Sequence, residues 1–351
     1  MSNTIWYTRC PVPTASGIAK QYDLFDQAFA DSGWQVRNIR ERGADSGSLN
    51  THFSHTLDDS FREGGGSPPV WARANGADTS LLGVCFVEET LGLFVRSDDA
   101  SIQNVPDLVG KRLALPEWPE LIMNFFRFAA QKAFVSALQL EGIAESEANF
   151  VEVVETGDHF QLLNPKFSDG SDRNIPSYYH CQMEALLNSE VDAIFAKGGE
   201  IAAMQAAAGG KLRMLTNLID AKPMWAKVNN ATPRILTVSN SLVRDNPDQV
   251  ITYARTLLRA AKWAETHHAE ADVAMATETG VSPADIHTYY TRDIYTKLTP
   301  ELSVKMLDAV DVLKTFLFDH SFIDNNFSTE EWMAKDLLQE AYRQENIAWR
   351  D

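Results

Sequence analysis

A two-lobed α/β fold is what the sequence predicts, and three observations carry it. Strand-like and helix-like segments alternate from Thr4 to Leu218, the pattern of sheets flanked by helices. From Asn246 onward the apolar spacing becomes helical. Between these regions, "RILTVSNSLV" follows Pro223 and Pro233 and reads as the chain returning to the sheet in which it began. The 351 residues suffice for two domains. The expected division is a discontinuous lobe 1 of residues 1–112 and 225–351, with residues 113–224 inserted as lobe 2. A ligand cleft is expected between them.

Taken in order, Thr4–Thr8 is rich in β-formers. Ile18–Ala30 carries Ile18, Tyr22, Phe25 and Phe29 at helical spacing, and Trp34–Ile39 reads as a strand. Residues Arg40–Pro69 are rich in Gly, Ser and Asp and poor in apolar side chains, so they are expected to form a long loop, a length typical of functional or disordered segments. Strands are expected in "SLLGVCFVEE", "LGLFVRS", "KRLALP", "FVEVVE", "VDAIFA" and "LRMLTNL", and helices over Glu120–Leu140, His180–Asn188 and Gly199–Ala208. This alternation predicts parallel sheets with helices on both faces. Asn246-Pro247, Ser282-Pro283 and Thr299-Pro300 each place a capping residue before a proline at a helix start. Ser328 and Glu331 have capping-box spacing. Val250, Ala254, Leu257, Ala261 and Ala264 form one apolar stripe that should pack on a core.

Composition narrows the function. Hydrophobic content of 44% and charged content of 23% are ordinary globular values. A formal charge of −17 argues against a nucleic-acid partner or an anionic membrane surface. No run approaches the ~18 consecutive apolar residues of a membrane span. The first ten residues lack the pattern of a secretion signal. Cys10, Cys85 and Cys181 have no CxxC spacing, which fits a reducing, cytoplasmic location and no zinc cage.

GxGxxG, Walker, HExxH, GxSxG and EF-hand motifs are all absent. His52, His55, Asp58 and Asp59 lack a fourth well-spaced metal ligand. His267-His268 is better placed to meet the C-terminal dipole of a helix than to bind a metal. Cys85 reads as a buried thiol, and Cys181 opens a helix, where a thiolate would be favoured. Cys10 ends the first strand before the turn Pro11-Val12-Pro13, with Arg9 on the opposite face. Position alone leaves Cys10 open as a structural or a reactive thiol. In "THFSHTLDDSFREGGGSPPV", Thr51–Val70, three glycines allow close backbone approach and Arg62 offers a fork for an anion.

These segments together resemble the 2'-hydroxybiphenyl-2-sulfinate desulfinase family, within the superfamily of sulfonate- and pyrimidine-type periplasmic binding proteins. "CPVP" at Cys10–Pro13, "THF" at Thr51–Phe53 and "REGGGSPP" at Arg62–Pro69 carry the resemblance. "DLVGKRLAL", "VDAIF", "TVSNSLVRDNP" and "EEWMAKDLL" extend it in matching order. It implies a type II periplasmic-binding-protein-like fold, each lobe a mixed sheet flanked by helices. It also implies a desulfinase that releases sulfite from an organosulfinate, as a monomer without metal or organic cofactor. Cys10 would be the catalytic thiol as nucleophile or acid, His52 its partner, and Arg62 with Gly64 and Gly65 the sulfinate clamp, with Phe53 also binding the substrate. Departures are Glu63 where the family has an aromatic residue, Gly66-Ser67 in place of a larger pair, a longer Cys10–His52 interval, and no aligned counterpart for Trp118, Phe125 and Phe126. A solute-binding protein for a sulfonate or pyrimidine-type ligand is the alternative. A pyrimidine-synthesis enzyme would want a His- and Cys-rich iron segment, which the sequence lacks.

Overall fold

Ten strands in the computed structural model, which describes residues 3–42, 46–156 and 178–351, divide between two units. Unit 1 comprises Met1–Val87, Asn230–Ile286 and Thr291–Asp351; unit 2 comprises Glu88–Asn229 and His287–Tyr290.

Unit 1 is built on a five-stranded sheet of β1 (Asn3–Arg9), β2 (Trp34–Asn38), β3 (Ser60–Gly65), β4 (Thr79–Cys85) and the late strand β10 (Arg234–Ser239), in the order β2-β1-β3-β10-β4. β1 is parallel to β2 and β3, whereas β10 is antiparallel to both β3 and β4. The sheet is therefore mixed, not parallel throughout. A parallel neighbour needs a crossover connection, and β10 enters from unit 2 instead of through a βαβ step of its own.

The expected helix over Ile18–Ala30 is two helices, α1 (Ala15–Gln21) and α2 (Leu24–Phe29), separated by Asp23 in a left-handed conformation, φ 54°. A larger correction concerns residues 40–69. Instead of one long loop, this stretch contains α3 (Ser46–Ser54), all of β3 and the start of α4 (Ser67–Ala74). Every residue of β3 is buried although five of the six are Ser, Arg, Glu or Gly and only Phe61 carries a large apolar side chain. The alternation and apolarity that flag a buried strand are missing, because polar partners satisfy this one from both sides.

In unit 2, β5 (Leu91–Arg96) lies between β8 (Ile194–Lys197) and β9 (Leu212–Asn217), antiparallel to both. β6 (Arg112–Glu117) and β7 (Asn149–Val154) are parallel and connected through α5 (Phe125–Leu140), a βαβ unit. α6 (His180–Leu187) and α7 (Glu200–Ala208) follow the sequence expectation within a residue. Trp118 and Phe126 are buried in this unit's core with Tyr178 and Ile194.

The C-terminal helices are α8 (Pro247–Ala264), α9 (His268–Thr279), α10 (Val304–Asp319) and α11 (Lys335–Gln344). Proline opens α8 after Asn246, and all five stripe residues of this helix are buried. Ser328 accepts from the Glu331 amide, the expected cap. Thr299-Pro300 begins no helix; α10 starts after Ser303. His267 and His268 donate to the Trp263 and Glu265 carbonyls at the end of α8, 2.9 Å each.

The core of unit 1 is aromatic where α8 meets the sheet. Phe61 of β3 stacks on Tyr253 of α8 with ring centroids 3.8 Å apart and planes 3° from parallel, and Phe25 stacks on Tyr253 at 4.8 Å. Phe61→Ala should lower the unfolding free energy by about 3–5 kcal/mol in urea titration. A loss below about 1 kcal/mol would mean that this stack does not anchor β3.

Candidate functional site

The site is assembled from one face of the unit 1 sheet and the helix that covers it. Register pairs Thr8 of β1 and Thr237 of β10 with Arg62 of β3, so these three side chains share a face. At the adjoining position Glu63 pairs with Arg9 on one side and Leu236 on the other, and these three share the opposite face. The expected direction of Arg9 is met there, where it forms an ion pair with Glu278 and donates to the Tyr7 hydroxyl at 3.1 Å.

Cys10 follows Arg9 directly and has the same parity as Thr8. Its N–H donates to the Glu63 carbonyl at 3.2 Å, and Val12 N–H turns back to the Cys10 carbonyl at 2.8 Å. Pro11 and Pro13 have no N–H to extend the ladder, which is why β1 stops here. Thr14 then caps α1, its hydroxyl accepting from Gly17 N–H at 3.1 Å.

Around the Cys10 sulfur the structure brings three nitrogen groups to the same distance. His52 Nε2, Arg62 Nη2 and the Gly65 backbone N–H each lie 3.4 Å from Sγ. The His52 ring is held from behind, its Nδ1 being 2.6 Å from Thr8 Oγ1. This threonine was missed by sequence reasoning, although its position two residues before Cys10 on the same strand face was a usable signal. Phe53 is buried and meets the His52 ring edge-on, centroids 5.0 Å apart.

Arg62 is 0% exposed. Its Nε donates to the His52 carbonyl at 2.8 Å and its Nη1 to the Gly65 carbonyl at 2.9 Å. The His52 carbonyl belongs to the last turn of α3, where carbonyls lack intrahelical partners, so the guanidinium completes that helix end. Burial holds Arg62 below the ordinary arginine value, with the neighbouring Cys10 sulfur acting in the other direction. One edge of the fork thus faces backbone and a single remaining nitrogen faces sulfur.

Gly64 sits beside Cys10 with φ 151°, and a Cβ there would come within 2.5 Å of Sγ, so only glycine fits. Gly65 is equally restricted, by Asn230, whose carbonyl accepts from Gly66 N–H and whose side-chain oxygen accepts from Ser67. Asn230 is a second residue absent from the sequence reading.

The remaining candidates lie elsewhere or play other parts. His55 is buried on the Arg62 face, Nδ1 3.0 Å from Thr237 Oγ1 and φ 48°. Among the described residues no group of three or more His, Cys, Asp or Glu is arranged to hold a metal. Cys85 is buried, and burial pushes its thiol up to about 12. Cys181 does open α6, but the Glu155 carboxylate accepts from both the Cys181 and Gln182 amides at that helix start. Of the three thiols, Cys10 alone combines partial exposure with the His52, Arg62 and Gly65 cluster.

His55 supplies a pH test of this face. Burial first, and the Arg62 charge second, lower it from 6.5 to about 4. The unfolded chain therefore binds the proton first on acidification, so the stabilisation is complete above about pH 6.5 and is lost as pH falls to about 4, on the order of 3 kcal/mol in all. His55→Asn, which tolerates the left-handed backbone, should flatten the stability-versus-pH curve across that window in urea titrations. Parallel curves for the two proteins would refute this assignment.

No protein-family model matches the chain. Among curated proteins, the 2'-hydroxybiphenyl-2-sulfinate desulfinases of Rhodococcus erythropolis and Rhodococcus qingshengii are each 25% identical to it, over 96% of this chain and 93% of theirs. Among solved structures, a Cys-to-Ser mutant of the desulfurization enzyme DszB in complex with biphenyl-2-sulfinic acid superimposes with a TM-score of 0.76 and 22% identity, covering 98% of this chain and 100% of that one. The periplasmic aliphatic sulphonate binding protein SsuA from Escherichia coli matches with a TM-score of 0.63 and 13% identity, over 97% of this chain and 100% of that one. No helix among the described residues is long and apolar enough to cross a membrane. By sequence along nearly its whole length, the chain is a relative of 2'-hydroxybiphenyl-2-sulfinate desulfinase, and it has the periplasmic-binding-protein-like fold.

Proposed function

We propose that the protein is a desulfinase that cleaves the carbon–sulfur bond of an aromatic sulfinate and releases sulfite, with Cys10 as the reacting thiol. The observation that carries this reading is the convergence of His52, Arg62 and the Gly65 amide on one partly exposed sulfur, each at 3.4 Å. The curated relatives named for this activity, aligned over 96% of the chain, support it.

The overall change is hydrolytic. The ring carbon exchanges its bond to sulfur for a bond to a proton, and water supplies the oxygen that turns the departing SO2 unit into sulfite. Cys10 enters as nucleophile at the sulfinate sulfur or as the acid that protonates the ring carbon. A quenched reaction separates the two, since only the first leaves an adduct on the Cys10 peptide. His52, oriented by Thr8, exchanges a proton with Sγ. Arg62 Nη2 and the Gly65 N–H, already directed at the sulfur, are the donors for a sulfinate oxygen arriving there. Gly64 leaves the space beside Sγ that a side chain would fill, and Phe53 braces the His52 ring. Three free thiols support a reducing, cytoplasmic setting.

Sulfite release should be measured over a panel of aryl and alkyl sulfinates. Wild-type protein should turn over at least one aryl sulfinate, and Cys10→Ser should abolish turnover with melting and circular dichroism unchanged. Retained turnover in Cys10→Ser removes the thiol from the mechanism. Tight sulfonate binding with no sulfinate consumed would favour a solute-binding protein, which shares the fold.

A further inference from the structure

We infer that Glu63 is a positioning residue for the Cys10 thiol, acting by holding both ends of the Cys10–Ser16 turn against β3. This rests on the reading of Cys10 as the reacting group. The main chain of Glu63 accepts from Cys10 N–H at 3.2 Å, and its side chain accepts from Ser16 N–H at 3.0 Å. One residue thus closes a seven-residue loop whose second and fourth members are prolines and donate nothing. Within that loop Val12 N–H bonds back to the Cys10 carbonyl, while Gly17 N–H just beyond it bonds to the Thr14 hydroxyl. Cys10 N–H at one end of the turn and Ser16 N–H at the other thus both tie it to Glu63 on the neighbouring strand.

Glu63 is 2% exposed in the middle of a buried strand, an expensive place for a carboxylate. Burial pushes its acid up, while Ser16 and the charges of Arg234 and Arg9 work against that shift. Fully buried Arg234 of β10, whose Nη1 donates to the Val87 carbonyl at 3.0 Å, supplies a cationic neighbour on this face. An acid stands here although an aromatic residue would suit the site's burial better. The geometry supplies the reason, since only a long side chain with a terminal oxygen spans from β3 to Ser16.

The test compares Glu63→Gln, which keeps reach and acceptor but loses charge, with Glu63→Asp, which keeps charge but withdraws the acceptor by about 1.5 Å. The readout is the rate of iodoacetamide modification of the Cys10 peptide followed by mass spectrometry, an assay independent of any substrate. Glu63→Gln should stay within about twofold of wild type, and Glu63→Asp should depart by about fivefold or more. In sulfite release, kcat of Glu63→Asp should fall by about tenfold with KM nearly unchanged, and Glu63→Gln should retain turnover. A wild-type alkylation rate in Glu63→Asp, or a Gln variant as perturbed as Asp, overturns the inference. Should Glu63→Asp fail to fold, the Gln variant decides alone, since a departure beyond about twofold overturns the role. If the alkylation pattern holds while wild-type protein consumes no sulfinate, the positioning role stands and the desulfinase reading falls.

Discussion

The buried guanidinium of Arg62 is the constraint around which the unit 1 site is arranged. Removing an ionised group from water costs several kcal/mol unless good hydrogen bonds replace the solvent. Here the replacements are the His52 carbonyl at the end of α3, the Gly65 carbonyl at the end of β3, and the Cys10 sulfur. Each acceptor belongs to a different local structure, so one side chain ties a helix terminus, a strand terminus and a turn together. Displacing any of them leaves a donor of a buried cation unmet. The geometry around the sulfur is therefore held by the same energy that stabilises the sheet and its covering helix.

Arg62 and Glu63 are consecutive on β3 and necessarily face opposite sides of the sheet. Both are buried, and each engages the Cys10 segment from its own side. The arginine reaches the sulfur on one face, and the acid reaches Ser16 on the other. A charged pair of this kind contributes little β-propensity, and its isolated members would destabilise the strand. What makes the strand viable is that both side chains find backbone partners across short distances, while Phe61 alongside them delivers the apolar contact with Tyr253. Residue parity thus divides the strand into one face that carries the contact to the sulfur and another that carries the Tyr253 stack and the tie to Ser16.

That division explains what the sequence could and could not reveal. Apolar-rich elements were legible: the α8 stripe, the alternating strands from Thr79 to Asn217, and the Ser328 cap all correspond to structure. β3 was not legible as a strand, because apart from Phe61 its buried residues are Ser, Arg, Glu and Gly, the composition of a loop. α3 was missed for the same reason, Leu49 and Phe53 being the only large apolar residues in a stretch otherwise of Ser, Gly, Asn, Thr and His. The individual residues Cys10, His52 and Arg62 could be singled out by type, yet their meeting depends on the Thr8–Arg62 register, a long-range fact. Thr8 and Asn230 make ordinary-looking contributions to sequence, and only their hydrogen bonds show what they hold.

A fold of this class does not by itself decide between holding an anion and cleaving it, since the SsuA structure shares it at 13% identity. The difference must lie in what stands where the donors converge. Donors aimed into empty space would make an anion site. In this chain the Arg62 nitrogen, the Gly65 amide and the His52 ring converge instead on a sulfur atom of the protein itself. An anion entering there would have to share those donors with a thiol that can react, and Gly64 keeps the approach to that sulfur clear of a side chain. On the proposed reading, the step from binding to bond cleavage requires no new scaffold. It requires a cysteine at the end of β1 and a neighbouring strand able to hold it at the focus of donors.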